Sequence, residues 1–138
     1  MLKFEKIIPT HSQNDELFSL LSTRKYSISH TRIPTKNEHS EFVSANPYRV
    51  WYLVYKNQSL IGSVYLHFDN SVGIDFIKYN ESEVFLAIKY IKNNYKPLPP
   101  IKSVRRHNFF INVSPENENL VKILKKLHKS EIQRSFLI

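Results

Sequence analysis

The chain contains no cysteine and only two glycines, Gly62 and Gly73, in 138 residues. Without cysteine there are no disulfides, no thiol nucleophile and no cysteine-ligated zinc, which accords with a cytoplasmic chain. Two isolated glycines leave no Walker loop, and no G-x-S-x-G elbow exposes a serine nucleophile. No H-x-x-x-H pair is present, His30 and His39 stand too far apart to form a local pair, and the acids do not cluster at ligand spacing, so no metal is expected. No apolar run approaches the roughly 18 residues that a membrane span needs. The opening stretch "MLKFEKIIPTHSQ" breaks its apolar residues with charge and lacks a small-residue cleavage site, so no signal peptide is expected.

What is present is globular in character: 41% hydrophobic and 13% aromatic residues, at a length that suits one domain spanning residues 1–138. The formal charge is +8. The lysines are spread along the chain and gather mainly on "LVKILKKLHK", where Lys122, Lys125, Lys126 and Lys129 flank apolar positions as a solvated helix face would. That pattern argues against nucleic acid. A basic surface drawing an anionic cofactor or sugar nucleotide fits it better.

The order of elements follows from periodicity and punctuation. "LKFEKII" reads as a strand and "NDELFSLLSTR" as a short helix capped by Asn14 or Asp15, with Leu17, Leu20 and Leu21 on one stripe. Thr35 and Glu38 stand at capping-box spacing and open a second helix. From Val50 three strands follow in a meander, "VWYLVYK", "LIGSVYLHF" and "VGIDFIK". A helix then starts near Asn80 or Ser82, with Val84, Ala87, Ile88 and Ile91 on one face, and the prolines of "KPLPP" end it. "NFFINVS" reads as a strand, "PENENLVKILKKLH" as a helix with Ser114 as cap and Pro115 at its first position, and "EIQRSFLI" as a last strand. The late strand-helix-strand steps need crossovers. The expected fold is therefore α+β, with a mixed, mainly antiparallel sheet of six to seven strands and helices on both faces.

The stretch "FFINVSPENENLVKILKKLHKSEIQRSF" resembles the fifth strand, the "NVxPxN" junction and the following helix and strand of the GNAT superfamily of acyl-CoA N-acyltransferases. The meander, with Gly62 after its hairpin turn, is similar to the family's second to fourth strands. Upstream, "ISHTRIPTKNEHSEFVSANPYRVWYLV" is similar to members found beside pathways for unusual surface sugars. The resemblance implies acetyl-CoA or another acyl-CoA held between the fourth and fifth strands, and an amine acceptor on the opposite side. The backbone of Phe76, Ile77 and Lys78 would then bind the pantetheine arm as an added strand, and the amides of Ser82, Glu83 and Val84 would take the diphosphate. Asn112 and Asn117 of "NVSPEN" fall where the family often places asparagine near the pantetheine; Asn117 can equally serve the helix start.

The junction "YNESEV" departs from the family pattern. Tyr79, Ser82 and Val84 stand where the family carries Gln or Arg, Gly, and Gly or Ala, and a missing glycine costs close backbone approach to phosphate. Glu81 and Glu83 add negative charge there, although acids in a first turn also complement the helix dipole. The tyrosine that many members use to protonate the departing thiolate is replaced by Leu124. The catalytic candidates that remain are Asp75 on the third meander strand, matching the family's acidic position, and His30 and His39 flanking the second helix. Each has a plain alternative as an ordinary surface residue. His107, in a basic loop, reads as solvated. Tyr48, Arg49, Trp51 and Tyr52 can stack on a sugar or base, or simply form half-buried strand.

Two readings follow. The chain is an acyl-CoA-dependent N-acyltransferase for a small amine such as an aminosugar or sugar nucleotide, or it is a GNAT-like binding or assembly module without catalysis. The expected partner is a small-molecule amine, with no membrane and no nucleic acid; a homodimer is left open.

Overall fold

The structure is a computed structural model that describes residues 1–23 and 34–138. Elements follow in the order β1 (Leu2–Lys6), α1 (His11–Thr23), α2 (Lys36–Ala45), β2 (Val50–Lys56), β3 (Ser59–Leu66), β4 (Ser71–Phe76), α3 (Glu81–Asn94), β5 (Phe110–Ile111) and α4 (Glu118–Lys126). The five strands lie in sequence order, antiparallel from β1 to β4, and β4 and β5 run parallel. The β2–β3 turn is the two-residue Asn57-Gln58 loop, both residues at positive φ, whose twist suits a tight hairpin.

Strand alternation divides the sheet between two cores. Val54, Val64, Leu66, Val72, Ile74 and Phe76 face α3 and α4 and pack on Val84, Ala87, Ile91, Leu120 and Ile123. Trp51 and Leu53 face the other way, onto Leu17 of α1 and Val43 of α2. Helices thus cover both faces, as an α+β reading requires.

Local chemistry set most of the boundaries. The Thr35–Glu38 capping box is formed in both directions. Asn80 caps α3, its Oδ1 accepting from the amide of Glu83 at 2.9 Å. Gly62 opposes Phe76, and a β-carbon there would fall 2.2 Å from the Asp75 carbonyl oxygen, so only glycine permits this approach.

The structure corrects four expectations. Among the described residues the sheet has five strands, not six or seven, and "EIQRSFLI" is exposed and forms no strand. The strand expected at "NFFINVS" is reduced to Phe110–Ile111. Helix α1 starts at His11, with the Thr10 hydroxyl accepting from Gln13, rather than at Asn14 or Asp15. Helix α4 starts after Asn117, not Ser114: Ser114 and Pro115 belong to the preceding turn, and the Asn117 side chain accepts from the amide of Leu120.

Candidate functional site

The feature that organises the site is the parting of β4 and β5. Ser71 pairs with Phe110 and Val72 with Ile111; beyond them β5 has ended while β4 continues to Phe76. The Ile77 amide donates to Ile61 at 2.9 Å, so alternation turns the amides and carbonyls of Ile74 and Phe76 to the side that β5 has left. A strand edge is therefore open there, with the start of α4 beside it. Of the three residues expected to hold a pantetheine arm through their backbone, Phe76 directs its polar groups into the opening, the Ile77 amide turns to β3, and Lys78 lies in the bend beyond β4.

Tyr79 reaches into the same opening. Its hydroxyl donates to the Ile74 carbonyl at 3.1 Å, its ring tilts against Phe76, and its own carbonyl accepts from Asn119 of α4. One of the edge acceptors of β4 is thus already engaged by the chain itself.

At the end of β4 the first turn of α3 offers two amides. Asn80 satisfies those of Glu83 and Val84, which leaves Glu81 and Ser82 without an intrahelical acceptor. Glu81 pairs with Lys126 of α4 at 3.2 Å, and Glu83 with Lys56 of β2 at 3.1 Å. Glu83 is 8% exposed. Burial works to raise its pKa, but hydrogen bonds from Asn80 and Lys56 and the lysine charge outweigh it and hold the carboxyl below its ordinary value. Val84 is fully buried in the core, so its side chain points away from the junction surface. The two acids, which the sequence left either as opposing a diphosphate or as complementing the helix dipole, are each paired with a lysine distant in the chain.

On the opposite face, alternation sets Ser71, Gly73 and Asp75 in one row, with Asp75 partly exposed. The ring of Tyr65 lies over Gly73, where a β-carbon would meet it at 2.0 Å, and stacks on Tyr48 at 4.4 Å between centroids. His67, just past the end of β3 and two residues from Tyr65, is edge-on to both rings. Burial lowers its pKa against the pull of Asp69, which keeps the imidazole neutral at pH 7. Sequence reasoning passed over His67; the signal was its spacing from Tyr65 in "YLHF", which puts both on one face.

At the start of this row opens a basin of about 760 Å³, lined among others by Asp69, Lys102, Arg105, Arg106, Asn112 and Gln133. Asn112 lies here, exposed, rather than along the opened edge of β4. Asn117 is 3% exposed and caps α4. His39 is 7% exposed between α1 and α2, edge-on to Phe18. His30 falls outside the described residues. The aromatic-basic cluster is split: Trp51 is buried toward α1 and α2 and Tyr52 on the other face, while Arg49 donates to the Lys96 carbonyl and lies over Tyr95. Leu124 packs half-buried against the core, and among the described residues no three His, Asp or Glu side chains are grouped to hold a metal ion.

The fold that carries this parted parallel pair is shared with solved acetyltransferases. The chain is similar to Campylobacter jejuni N-acetyltransferase PseH in complex with acetyl coenzyme A, at TM-score 0.60 and 11% identity over 98% of this chain and 92% of that one. It is similar to the ribosomal L7/L12 α-N-protein acetyltransferase RimL in complex with coenzyme A, at TM-score 0.62 and 12% identity, covering 92% and 78%. It is similar also to AAC(6')-Iy bound to a bisubstrate analogue, at TM-score 0.61 and 11% identity, covering 100% and 97%. The chain has the GNAT fold. No family model matches the sequence, and no curated protein matches it. Among the described residues no helix is long and apolar enough to cross a membrane.

Proposed function

We propose that the chain is an acyl-CoA-dependent N-acyltransferase, a single GNAT-fold unit of the cytoplasm that acylates a small amine of the aminosugar or sugar-nucleotide class. The observation that carries this reading is the edge of β4 left open where β5 ends, with Asp75 on the opposite face of the same strand. Phe76 holds the pantetheine amides, and the Glu81 and Ser82 amides meet the diphosphate, helped by the dipole of α3. The amine enters on the face of Asp75. Its nitrogen attacks the thioester carbonyl, the C–N bond forms, the C–S bond breaks, and CoA leaves as a thiolate that takes up a proton.

Asp75 removes the proton of the incoming amine directly or through water, and His67, neutral at pH 7, is a second base on the same face. His39 is too buried to reach an acceptor. A second reading, a GNAT-fold module without catalysis, is favoured by Tyr79, whose hydroxyl occupies the Ile74 carbonyl, and by Leu124 in place of a proton donor. The test is calorimetric titration with acetyl-CoA, followed by thiol release with a panel of aminosugars and amino-sugar nucleotides. Binding plus release that falls at least about tenfold in Asp75→Asn supports the enzyme. Absence of any acyl-CoA binding removes it.

A further inference from the structure

We infer that the basin beside Arg105 and Arg106 is an oxyanion site that seats the diphosphate of a phosphorylated amine acceptor, an inference that rests on the acyltransferase reading above. Three observations point there.

The first is charge without counter-charge. Lys102, Arg105 and Arg106 line one basin, and none of them makes an ion pair among the described residues. The one carboxylate present, Asp69, turns an oxygen to the Ser71 amide at 2.8 Å. Three cations held together against one acid repel one another and concentrate anions in a concave site.

The second is pre-organisation. Asn70 is fully buried at φ 73 and clamps the loop from both ends. Its Nδ2 donates to the carbonyls of Leu98 and Arg106 at 3.0 and 2.9 Å, and its Oδ1 accepts from the Leu98 amide at 2.8 Å. Ile101 and Arg105 close the loop by exchanging backbone hydrogen bonds. Arg105 is oriented by the carbonyls of Pro99 and Phe68, and Arg106 by Gln133 and the Phe110 ring. Both guanidinium groups therefore meet neutral hydrogen-bond partners, which preserves their charge and leaves donors for an oxyanion.

The third is position. Phe110 pairs with Ser71, so the basin shares the face of Asp75 and lies at the start of β4, at the opposite end from the Asn80 cap. From Ser71 to Asp75 the strand advances about 13 Å, at about 3.3 Å per residue. A diphosphate linked to an amino-bearing ring spans such a distance, whereas a monophosphate on a short amine does not. The Tyr65 ring, held between Gly73 and Tyr48, lies between the two ends and gives the path a wall rather than an open stacking face.

Inorganic pyrophosphate is the probe. Titrated into the full chain at low salt and followed by backbone amide NMR, it is expected to shift Lys102 to His107 and Asn112, with affinity falling as NaCl rises. Lys102→Gln combined with Arg106→Gln removes two charge-assisted contacts and is expected to weaken binding by about 100-fold, at about tenfold each. Unchanged amide positions at Asn70 and Leu98 show that the loop is intact in that variant. Shifts confined to Glu81 and Ser82, or equal affinity in the double variant, overturn the inference. Acetyl-CoA titration separates it from the reading beneath it. Pyrophosphate bound at the basin by a chain that never binds acyl-CoA leaves the anion site and removes the acyltransferase. Acyl-CoA turnover on neutral amines with a silent basin does the reverse.

Discussion

The Tyr79 hydroxyl donates to the carbonyl of Ile74, on the edge of β4 that β5 has left. Tyr79, at the junction of β4 and α3, thus reaches back to occupy a backbone acceptor that, on the proposed function, a pantetheine amide would use. Any acyl-CoA binding at this edge has to displace that hydrogen bond or work around it.

Replacing Tyr79 by Phe tests the competition. The variant is expected to lose about 0.5–1.5 kcal/mol of stability, the net value of a hydrogen bond whose carbonyl partner can turn to water. Its affinity for acetyl-CoA should rise by about 2- to 10-fold, because the same increment no longer opposes the ligand. Urea unfolding and calorimetry read the two effects separately. A fall in affinity would mean that the hydroxyl belongs to the donor site, for instance as the acid that protonates the departing thiolate in place of the tyrosine missing at Leu124.

The packing of α4 gives a graded expectation. Leu120 is 2% exposed and Leu124 only half-buried. Leu120→Ala should cost about 2–5 kcal/mol, and Leu124→Ala less, because a half-buried side chain removes less area from water and its cavity is open to solvent. Equal costs in urea unfolding would place both residues at the same depth and contradict this helix rotation.

Asn70 combines burial, a left-handed backbone and three hydrogen bonds to the loop of residues 98–106. Asn70→Asp tolerates the backbone and keeps the acceptor, yet loses both donors and sets a carboxylate against two carbonyls. We expect a loss of about 2–4 kcal/mol in thermal unfolding. Faster amide exchange at Leu98 and Arg105, with the meander unchanged, would localise the loss to this loop.

What was legible in the sequence was local. The Thr35–Glu38 box, the Asn80 cap and the alternation of the meander each depend on residues within a few positions of one another, and each formed as expected. Where two caps competed, as Ser114 and Asn117 did, either residue type could start a helix, and the turn that brings the chain from β5 to the core decided it. "EIQRSFLI" has strand composition, but a strand needs a partner edge, and composition does not say whether one is within reach. The site was least legible where its partners are remote. Lys56 meets Glu83 from 27 residues away, and Asn70 reaches the loop across 28 and 36 residues. No local pattern announces such pairs.

The two acids of the α3 junction give the last prediction, and their pairing decides its direction. Glu81 is 46% exposed and its partner Lys126 is 72% exposed, so Glu81→Gln should change stability by less than about 0.5 kcal/mol. Glu83 is 8% exposed, capped by Asn80 through its amide and paired with Lys56. Lys56 is 47% exposed, which screens the pair, so Glu83→Gln should cost about 1–2 kcal/mol at pH 7. The sign with pH follows from the carboxyl's lowered value. A folded pKa below the ordinary 4.5 stabilises the fold above that pH, and the contribution is lost as pH falls through the folded value. The wild-type advantage over Glu83→Gln should therefore be constant near neutrality and vanish in acid, as read by urea midpoints across pH. For ligand binding the expectation is the opposite of simple repulsion. An unpaired carboxylate beside a diphosphate would oppose it by about 1 kcal/mol or more per contact at surface-like dielectric, and its removal would tighten acetyl-CoA binding at low salt. With both acids already paired to lysines, the double Gln variant frees Lys56 and Lys126 but leaves the Glu81 and Ser82 amides as they are. Its acetyl-CoA affinity should exceed that of the wild type only as far as those released lysines reach the diphosphate, an increment that 0.5 M NaCl should abolish. A low-salt gain that persists when Lys56 and Lys126 are also replaced by Met would mean that the acids themselves stand in the diphosphate position.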